Sequence, residues 1–218
     1  MNIGKVSLAD RVFDELENKI LDGKYKAGEL LTETHLSDEL GVSRTPIREA
    51  IRRLAQDGLI EETTRGALVL GITADEVATI YEIRARIEGY AARLFAERVS
   101  DDVLRELREN VELQEFYISR AAAESSGDLD TRFHEIIYEN CGSRVLYDLL
   151  SSLHKKVRRY RRASYEDKER SVSAAKEHRA ILDAAVSHNG DLAEALVTSH
   201  VKNAEESIIR NLKNKEDI

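Results

Sequence analysis

The amino-acid sequence predicts a mainly α protein in two parts, a small N-terminal unit of three helices closed by a β-hairpin and an all-helical second unit. Three observations carry that expectation. Apolar residues recur at helical spacing through most of the 218 residues. Two short β-prone runs stand between Leu59 and Leu70, with no strand signal from Thr73 onward. The stretch GVSRTPIREAIRRL, Gly41 to Leu54, reads as a helix with an abrupt start and a single apolar face.

From Leu8 to Leu21 the residues Leu8, Val12, Leu16 and Ile20 mark one helix, which Asp22-Gly23 stops. After Gly28 and Leu30-Leu31, Thr32 is expected to cap a short helix carrying Leu36 and Leu40, and Gly41 to end it in the left-handed conformation. Ser43 is expected to cap the next helix. Pro46 falls in its first turn, where a missing N–H costs little, and Ile47, Ala50, Ile51 and Leu54 form its buried stripe. LIEE, TTRG and ALVL then read as a hairpin around a glycine turn. Three helices with a tight turn between the second and third, followed by a hairpin, describe a winged helix-turn-helix ending near Leu70 and assigned to residues 1–72.

Beyond the hinge Gly71-Ile72-Thr73, six amphipathic segments follow, roughly residues 74–98, 101–124, 128–140, 144–164, 167–188 and 191–212. Breaks fall at Ser100-Asp101, Ser125-Ser126-Gly127, Cys141-Gly142-Ser143 and Asn189-Gly190-Asp191. Residues 73–218 are therefore expected to form a six-helix antiparallel bundle.

A hydrophobic content of 42% is enough for a real core. The single cysteine, Cys141, rules out an internal disulfide. The N-terminus lacks a secretory pattern and the apolar runs are too short to span a bilayer, so a cytoplasmic protein with no membrane partner is expected. The net charge of -8 opposes nucleic-acid binding for the chain as a whole. From Ser43 to Gln56, however, Arg44, Arg48, Arg52 and Arg53 stand against Glu49, four positive charges less one negative, a local +3.

Arg44 and Arg48 are four residues apart and share a face that is not the apolar one. In a helix-turn-helix the start of the second helix enters the major groove, and arginine suits guanine O6 and N7. Ser43 and Thr45 stand at the helix start, where hydroxyls and open N–H groups meet phosphates. Arg65 and Gly66 occupy the hairpin tip, as a wing would place them. The competing role is a solvated helix whose arginines pair with acids such as Glu49.

A second constellation lies in the helical part. Asp130 and His134 are i and i+4; His178 aligns with Ala174, Ile181, Leu182 and Ala185; His200 aligns with Ala193, Leu196 and Val197. Three imidazoles and a carboxylate projecting inward from three helices are how bundles assemble metal sites. Such donors suit zinc first, with nickel, iron and manganese as alternatives. Each histidine taken singly has the alternative of a hydrogen-bonded core residue.

The stretch KILDGKYKAGELLTETHLSDELGVSRTPIREAIRRLAQDGLI, with its core GVSRTPIREA, resembles the GntR superfamily of bacterial regulators. The resemblance implies that Arg44, Thr45 and Arg48 contact bases or phosphates, that Ser43 and Thr34 support them, and that Arg65-Gly66 forms the wing tip. The helical half is similar to the FCD domain of the FadR subfamily: Asp130 with Phe133-His134, then Glu177-His178 with Ile181, then His200. In metal-binding members those positions are the ligands. Six helices make the chain VanR-like, which implies a small organic acid as effector in place of an acyl-CoA.

A carboxylate effector needs a cation besides the metal, and helical phase nominates two. Arg84 lies in the arc of Ile80, Ile83, Ile87 and Ala91, with Arg86 outside it; a salt bridge to Glu88 is its competing role. Arg161 is in phase with Leu150 and Val157, while Lys155, Arg159 and Arg162 point away. Tyr138, Asn203 and His154 complete the candidates. The function expected is a homodimeric, ligand-responsive regulator reading a palindromic double-stranded DNA operator. Two alternatives stay open. One is a purely structural metal site. The other is a metal-dependent enzyme fused to a DNA-binding domain, disfavoured by the lack of an H-E-x-x-H motif and of a second carboxylate in matching phase.

Overall fold

The computed structural model of the protein describes residues 7–70, 74–120, 126–157 and 168–216. The chain divides into two compact units, Met1–Thr73 and Ala74–Ile218.

The first unit runs α1 (Leu8–Leu21), β1 (Leu30–Leu31), α2 (Glu33–Leu40), α3 (Arg44–Gln56), β2 (Ile60–Thr63) and β3 (Gly66–Val69). A reciprocal capping box between Ser7 and Asp10 starts α1. Thr32 caps α2 by accepting from the His35 N–H, and Gly41 ends it at φ 64°, in the left-handed region. Leu16, Leu36, Ile47 and Leu54 are buried together where α1, α2 and α3 meet. This is the helix-turn-helix, and β2 and β3 form its wing.

Two local features differ from expectation. Ser43 has the extended backbone of an N-cap but makes no capping hydrogen bond. The reason is Pro46, which occupies the third helical position and removes an N–H that a capping hydroxyl would satisfy. The sheet also has a third strand, in the order β1-β3-β2, with Leu31 opposite Ala67 and Thr63 opposite Gly66. A two-residue strand is too short for alternation to announce. It does explain Gly66: φ there is +144° and a Cβ would lie 2.5 Å from the Leu31 carbonyl oxygen, so only glycine fits beside β1.

The second unit contains, among the described residues, α4 (Ala74–Arg98), α5 (Asp101–Ser119), α6 (Ser126–Asn140), α7 (Arg144–Lys156), α8 (Lys168–Val186) and α9 (Gly190–Glu216). α4 packs along α9, α5 packs on α6 and α8, and α6 and α7 pack on each other and on α4. The α4–α9 contact is close because Gly89 has no side chain where Thr198 of α9 approaches, and Thr198 Oγ1 donates to the Ala85 carbonyl at 3.2 Å. α5 runs to Ser119 and α7 to Lys156, and the remainders of the two expected segments, residues 121–124 and 158–164, lie outside the described residues.

The inward face of α4 is not the predicted isoleucine arc. Ile83 is 42% exposed, whereas Val77, Tyr81, Arg84, Ala85, Glu88, Ala91, Ala92 and Phe95 are buried. Small residues admit α9 on one side, and a polar group fills the interior on the other. Arg84 is therefore an inward residue, but with different neighbours from those the arc implied.

Candidate functional site

In the first unit, α3 begins with Ser43, Arg44 and Thr45 all exposed, and Arg48 follows one turn later on the same exposed side. Pro46, Ile47, Ala50, Ile51 and Leu54 occupy the buried side, so tertiary packing fixes which arginines face outward. Arg44 Nη2 donates to Thr34 Oγ1 at 3.1 Å, and Arg48 Nε donates to both carboxylate oxygens of Glu33 at 2.8 and 2.9 Å. Arg53 has a different task. Its guanidinium lies 4.0 Å over the Phe13 ring and donates to Asp10 at 2.8 Å, tying α3 to α1. At the wing tip Arg65 is exposed, with the turn held by Thr63 Oγ1, which donates to the Gly66 carbonyl and accepts from the Arg65 N–H.

In the second unit, Asp130 and His134 of α6, His178 of α8 and His200 of α9 are all buried, and one donor atom from each lies within 4.8 Å of the others. His200 Nε2 is 3.3 Å from His134 Nε2 and 3.4 Å from His178 Nε2. Asp130 Oδ1 is 3.8 Å from His134 Nε2 and 3.6 Å from His178 Nε2. Helical spacing sets this up: i,i+4 on α6 stacks Asp130 under His134, and the small Ala174 and Ala185 flank His178 on its buried face.

The outer ring nitrogens each lie close to an oxygen, two of them in a hydrogen bond and that of His134 at ion-pair distance. His178 Nδ1 is 2.7 Å from Gln114 Oε1, His200 Nδ1 is 2.6 Å from Glu177 Oε2, and His134 Nδ1 is 3.2 Å from Glu88 Oε2. Amide and carboxylate oxygens can only accept, so the Gln114 and Glu177 bonds put the proton on Nδ1 of His178 and His200 and leave their Nε2 lone pairs facing each other and the His134 ring. Uncompensated, such lone pairs in a buried space repel. A cation at their centre reverses that. An ion about 2.1 Å from each nitrogen spaces neighbouring nitrogens about 3.0 Å apart if octahedral and about 3.4 Å if tetrahedral. The donor set and its spacing therefore fit a divalent transition metal.

The supporting groups are themselves held. Glu177 accepts from Arg170 and Asn203, at 3.0 and 2.9 Å. Burial pushes its carboxyl upward, but the His200 hydrogen bond and the nearby charges outweigh this and bring it down to about 2. Gln114 donates to Asn110 Oδ1 at 2.7 Å. His178, stacked on Phe133 with ring centroids 3.8 Å apart, is held well below the ordinary histidine value, first by burial and then by His200.

Beside His134 lies a second buried polar group. Arg84 Nε donates to Glu88 Oε1 at 2.5 Å, both side chains are fully enclosed, and Arg84 lies 4.5 Å over the Tyr81 ring. Burial opposes the charge on each member of this pair, but their attraction prevails: the Glu88 carboxyl is lowered and the Arg84 guanidinium raised. Arg84 Nη1 has no hydrogen-bond partner among the described residues. The Tyr138 hydroxyl is 3.1 Å from His154 Nδ1 and 3.5 Å from His134 Nδ1.

Among the effector candidates, Tyr138 and His154 thus adjoin His134, while Arg84 makes the salt bridge to Glu88 named as its competing role and reaches His134 only through that residue. Asn203 is exposed and supports Glu177. Arg161 lies outside the described residues. The sequence reading also missed groups. It found no second carboxylate in phase, yet Glu88 and Glu177 both reach the cluster, through ring Nδ1 atoms on its outer side. Glu177 precedes His178 and so points away from it, toward α9 instead. Gln114 was findable, since it stands on the buried stripe of Leu107 and Val111.

Residues 8–69 match the family model for bacterial regulatory proteins of the gntR family, and residues 79–203 match that of the FCD domain. The uncharacterized HTH-type transcriptional regulator YdhC of Bacillus subtilis (strain 168) is 31% identical over 190 residues, 86% of this chain and 85% of its own. The HTH-type transcriptional repressor RspR of Escherichia coli (strain K12) is 28% identical over 199 residues, 91% of this chain and 87% of its own. The solved structure of E. coli McbR/YncC has the same fold, with a TM-score of 0.81 at 20% identity, covering 95% of this chain and all of the other. These families and relatives are transcriptional regulators, not enzymes.

Proposed function

Since the chain belongs to the GntR family of bacterial regulatory proteins, with an FCD domain, we propose that this DNA-binding transcriptional regulator senses a small carboxylate metabolite at a divalent metal held by Asp130, His134, His178 and His200. Residues 1–72 read cytoplasmic DNA and residues 73–218 sense and dimerise. The observation that carries the sensing role is the convergence of three imidazoles, those of His178 and His200 anchored through Nδ1, and Asp130 on one buried point, with Arg84 Nη1 unpaired in the polar group next to it. Zinc, nickel, iron and manganese all suit these donors. A metal held by these four residues would polarise a carboxylate that reached it, with Arg84 in the adjoining polar group to balance charge.

On the DNA, Arg44 and Arg48 reach base edges, Ser43 and Thr45 meet phosphates, Thr34 supports Arg44, and Arg65-Gly66 forms the wing contact. The hydroxyl that Pro46 frees from capping leaves Ser43 available for that phosphate role. One winged head makes few contacts, so a homodimer on a palindromic operator follows. Exposed apolar residues support an interface on the helical unit: Ile83 and Tyr90 on α4, and Val145 and Leu149 on α7, a helix packed against it.

The experiment is operator binding by metal-loaded and chelator-stripped protein across a panel of small mono-, di- and hydroxycarboxylates. At least one acid is expected to shift operator affinity of the loaded protein and leave the stripped protein unaffected. An acid that acts equally on both places the sensing site away from the metal.

A further inference from the structure

Glu33 stands on the surface that carries Arg44, Thr45 and Arg48, where an acid is out of keeping because phosphates repel it. Both its oxygens accept from Arg48 Nε, at 2.8 and 2.9 Å, linking the first turn of α2 to the exposed side of α3. The two side chains are 64% and 34% exposed for Arg48 and Glu33, and a pair that open to solvent adds little to stability. Arg44 is held differently, through Nη2 and by the neutral Thr34 hydroxyl.

A guanidinium offers two forked edges, Nη1 with Nη2 at its end and Nε with one Nη along its side, and a guanine O6/N7 pair accepts from such a fork. With Nε–H consumed by Glu33, only the end remains. A long, flexible side chain is also fixed before DNA arrives, which lowers the ordering cost on binding. We propose that Glu33 is a positioning residue for DNA recognition: by holding Arg48 Nε it presents Nη1 and Nη2 to a guanine and so sets the discrimination at the base pair Arg48 reads. This inference rests on the DNA-reading role given to Arg48 above.

The test uses the full chain. Selection from a random duplex pool defines the preferred half-site, and binding is then measured to it and to its single-base-pair variants at one fixed salt concentration. The proteins are wild type, Arg48→Ala, Glu33→Gln, Glu33→Ala and the double variant Glu33→Ala/Arg48→Ala. Arg48→Ala should flatten discrimination at one base pair. Glu33→Ala should flatten it at that same base pair by about tenfold, with no further loss in the double variant. Affinity for unrelated duplex should be unchanged or higher, since an acid has left the DNA face. Glu33→Gln, which keeps an acceptor for Nε, should retain part of the discrimination, and equal thermal midpoints would exclude a folding effect. Full discrimination in Glu33→Ala, a loss at a different base pair, or an equal loss on every sequence overturns the proposal alone. A wild type that selects no sequence, or an Arg48→Ala variant that reads every position normally, overturns the Arg48 assignment and the proposal with it.

Discussion

The Nε2 atoms of His134 and His200 face each other at 3.3 Å in a buried space, while each ring's Nδ1 meets a glutamate, Glu88 at 3.2 Å and Glu177 at 2.6 Å. Two neutral imidazoles have no reason to bring their lone pairs together. The helices α6 and α9 hold them there, and the Glu177 bond fixes which nitrogen of His200 carries the proton. The cluster is thus arranged so that a cation would fit between the rings.

Removing an outer partner should loosen that organisation without touching a ligand. Glu177→Gln and Gln114→Leu are expected to weaken metal binding by about 10- to 100-fold, the first because the His200 ring loses basicity and the second because the His178 ring loses the bond that orients it. Competition against a chromophoric chelator measures it. Unchanged affinity in both variants would mean that packing alone aligns the rings.

The arginines of α3 should separate into two groups. Arg44→Ala or Arg48→Ala is expected to cost about 1–3 kcal/mol of specific DNA binding with the thermal midpoint intact. Arg53→Ala should instead cost about 1 kcal/mol of stability, since it loses its place over Phe13 and its bond to Asp10. Titration of fluorescent operator beside thermal melts distinguishes them, and the reverse assignment of losses would refute the division.

Replacing apolar residues on the exposed side of α4 should act on assembly. Ile83→Asp combined with Tyr90→Asp is expected to convert the proposed dimer to monomer at micromolar concentration, read by light scattering, with helical content preserved because both residues are about half exposed. A dimer that survives places the interface elsewhere.

Acid should weaken the second unit in a defined window. The folded state holds His178 well below its ordinary value, chiefly by burial. The unfolded chain takes up that proton near the ordinary value of about 6.5, so this contribution to stability is fully present above about pH 6.5 and is lost as pH falls below it. A metal at the proposed site would sharpen the loss, since it would bind only neutral imidazoles and be released as they protonate. Urea midpoints should fall between pH 7.5 and 5.5 with or without chelator, and the advantage of metal-loaded over stripped protein should shrink at the lower pH. Midpoints that stay level across that interval contradict the assignment.

The helix-turn-helix was legible because its signals are local: Thr32 before an apolar-periodic run, Gly41 at its end, and Pro46 in the first turn of the next helix. β1 was not, since its partner Ala67 is distant in sequence and no periodicity exists in two residues. The convergence of Asp130, His134, His178 and His200 was legible for a similar reason. Asp130 and His134 are one helical turn apart, and His178 and His200 interrupt otherwise apolar stripes. What surrounds them depends on interhelical register. Glu88 joins the centre from α4 and Gln114 from α5, whereas the Arg84–Glu88 pair, four residues apart on α4, was readable from helical spacing.

The most direct test of metal-based sensing is the visible absorption of the cobalt-substituted protein before and after addition of each carboxylate in the panel. Cobalt should bind in a His134-dependent manner and show ligand-field bands, and an acid that alters operator affinity should shift those bands, with the shift saturating at the same acid concentration as the operator response. An acid that changes operator binding while the cobalt bands stay fixed would make the ion a structural staple and contradict the account.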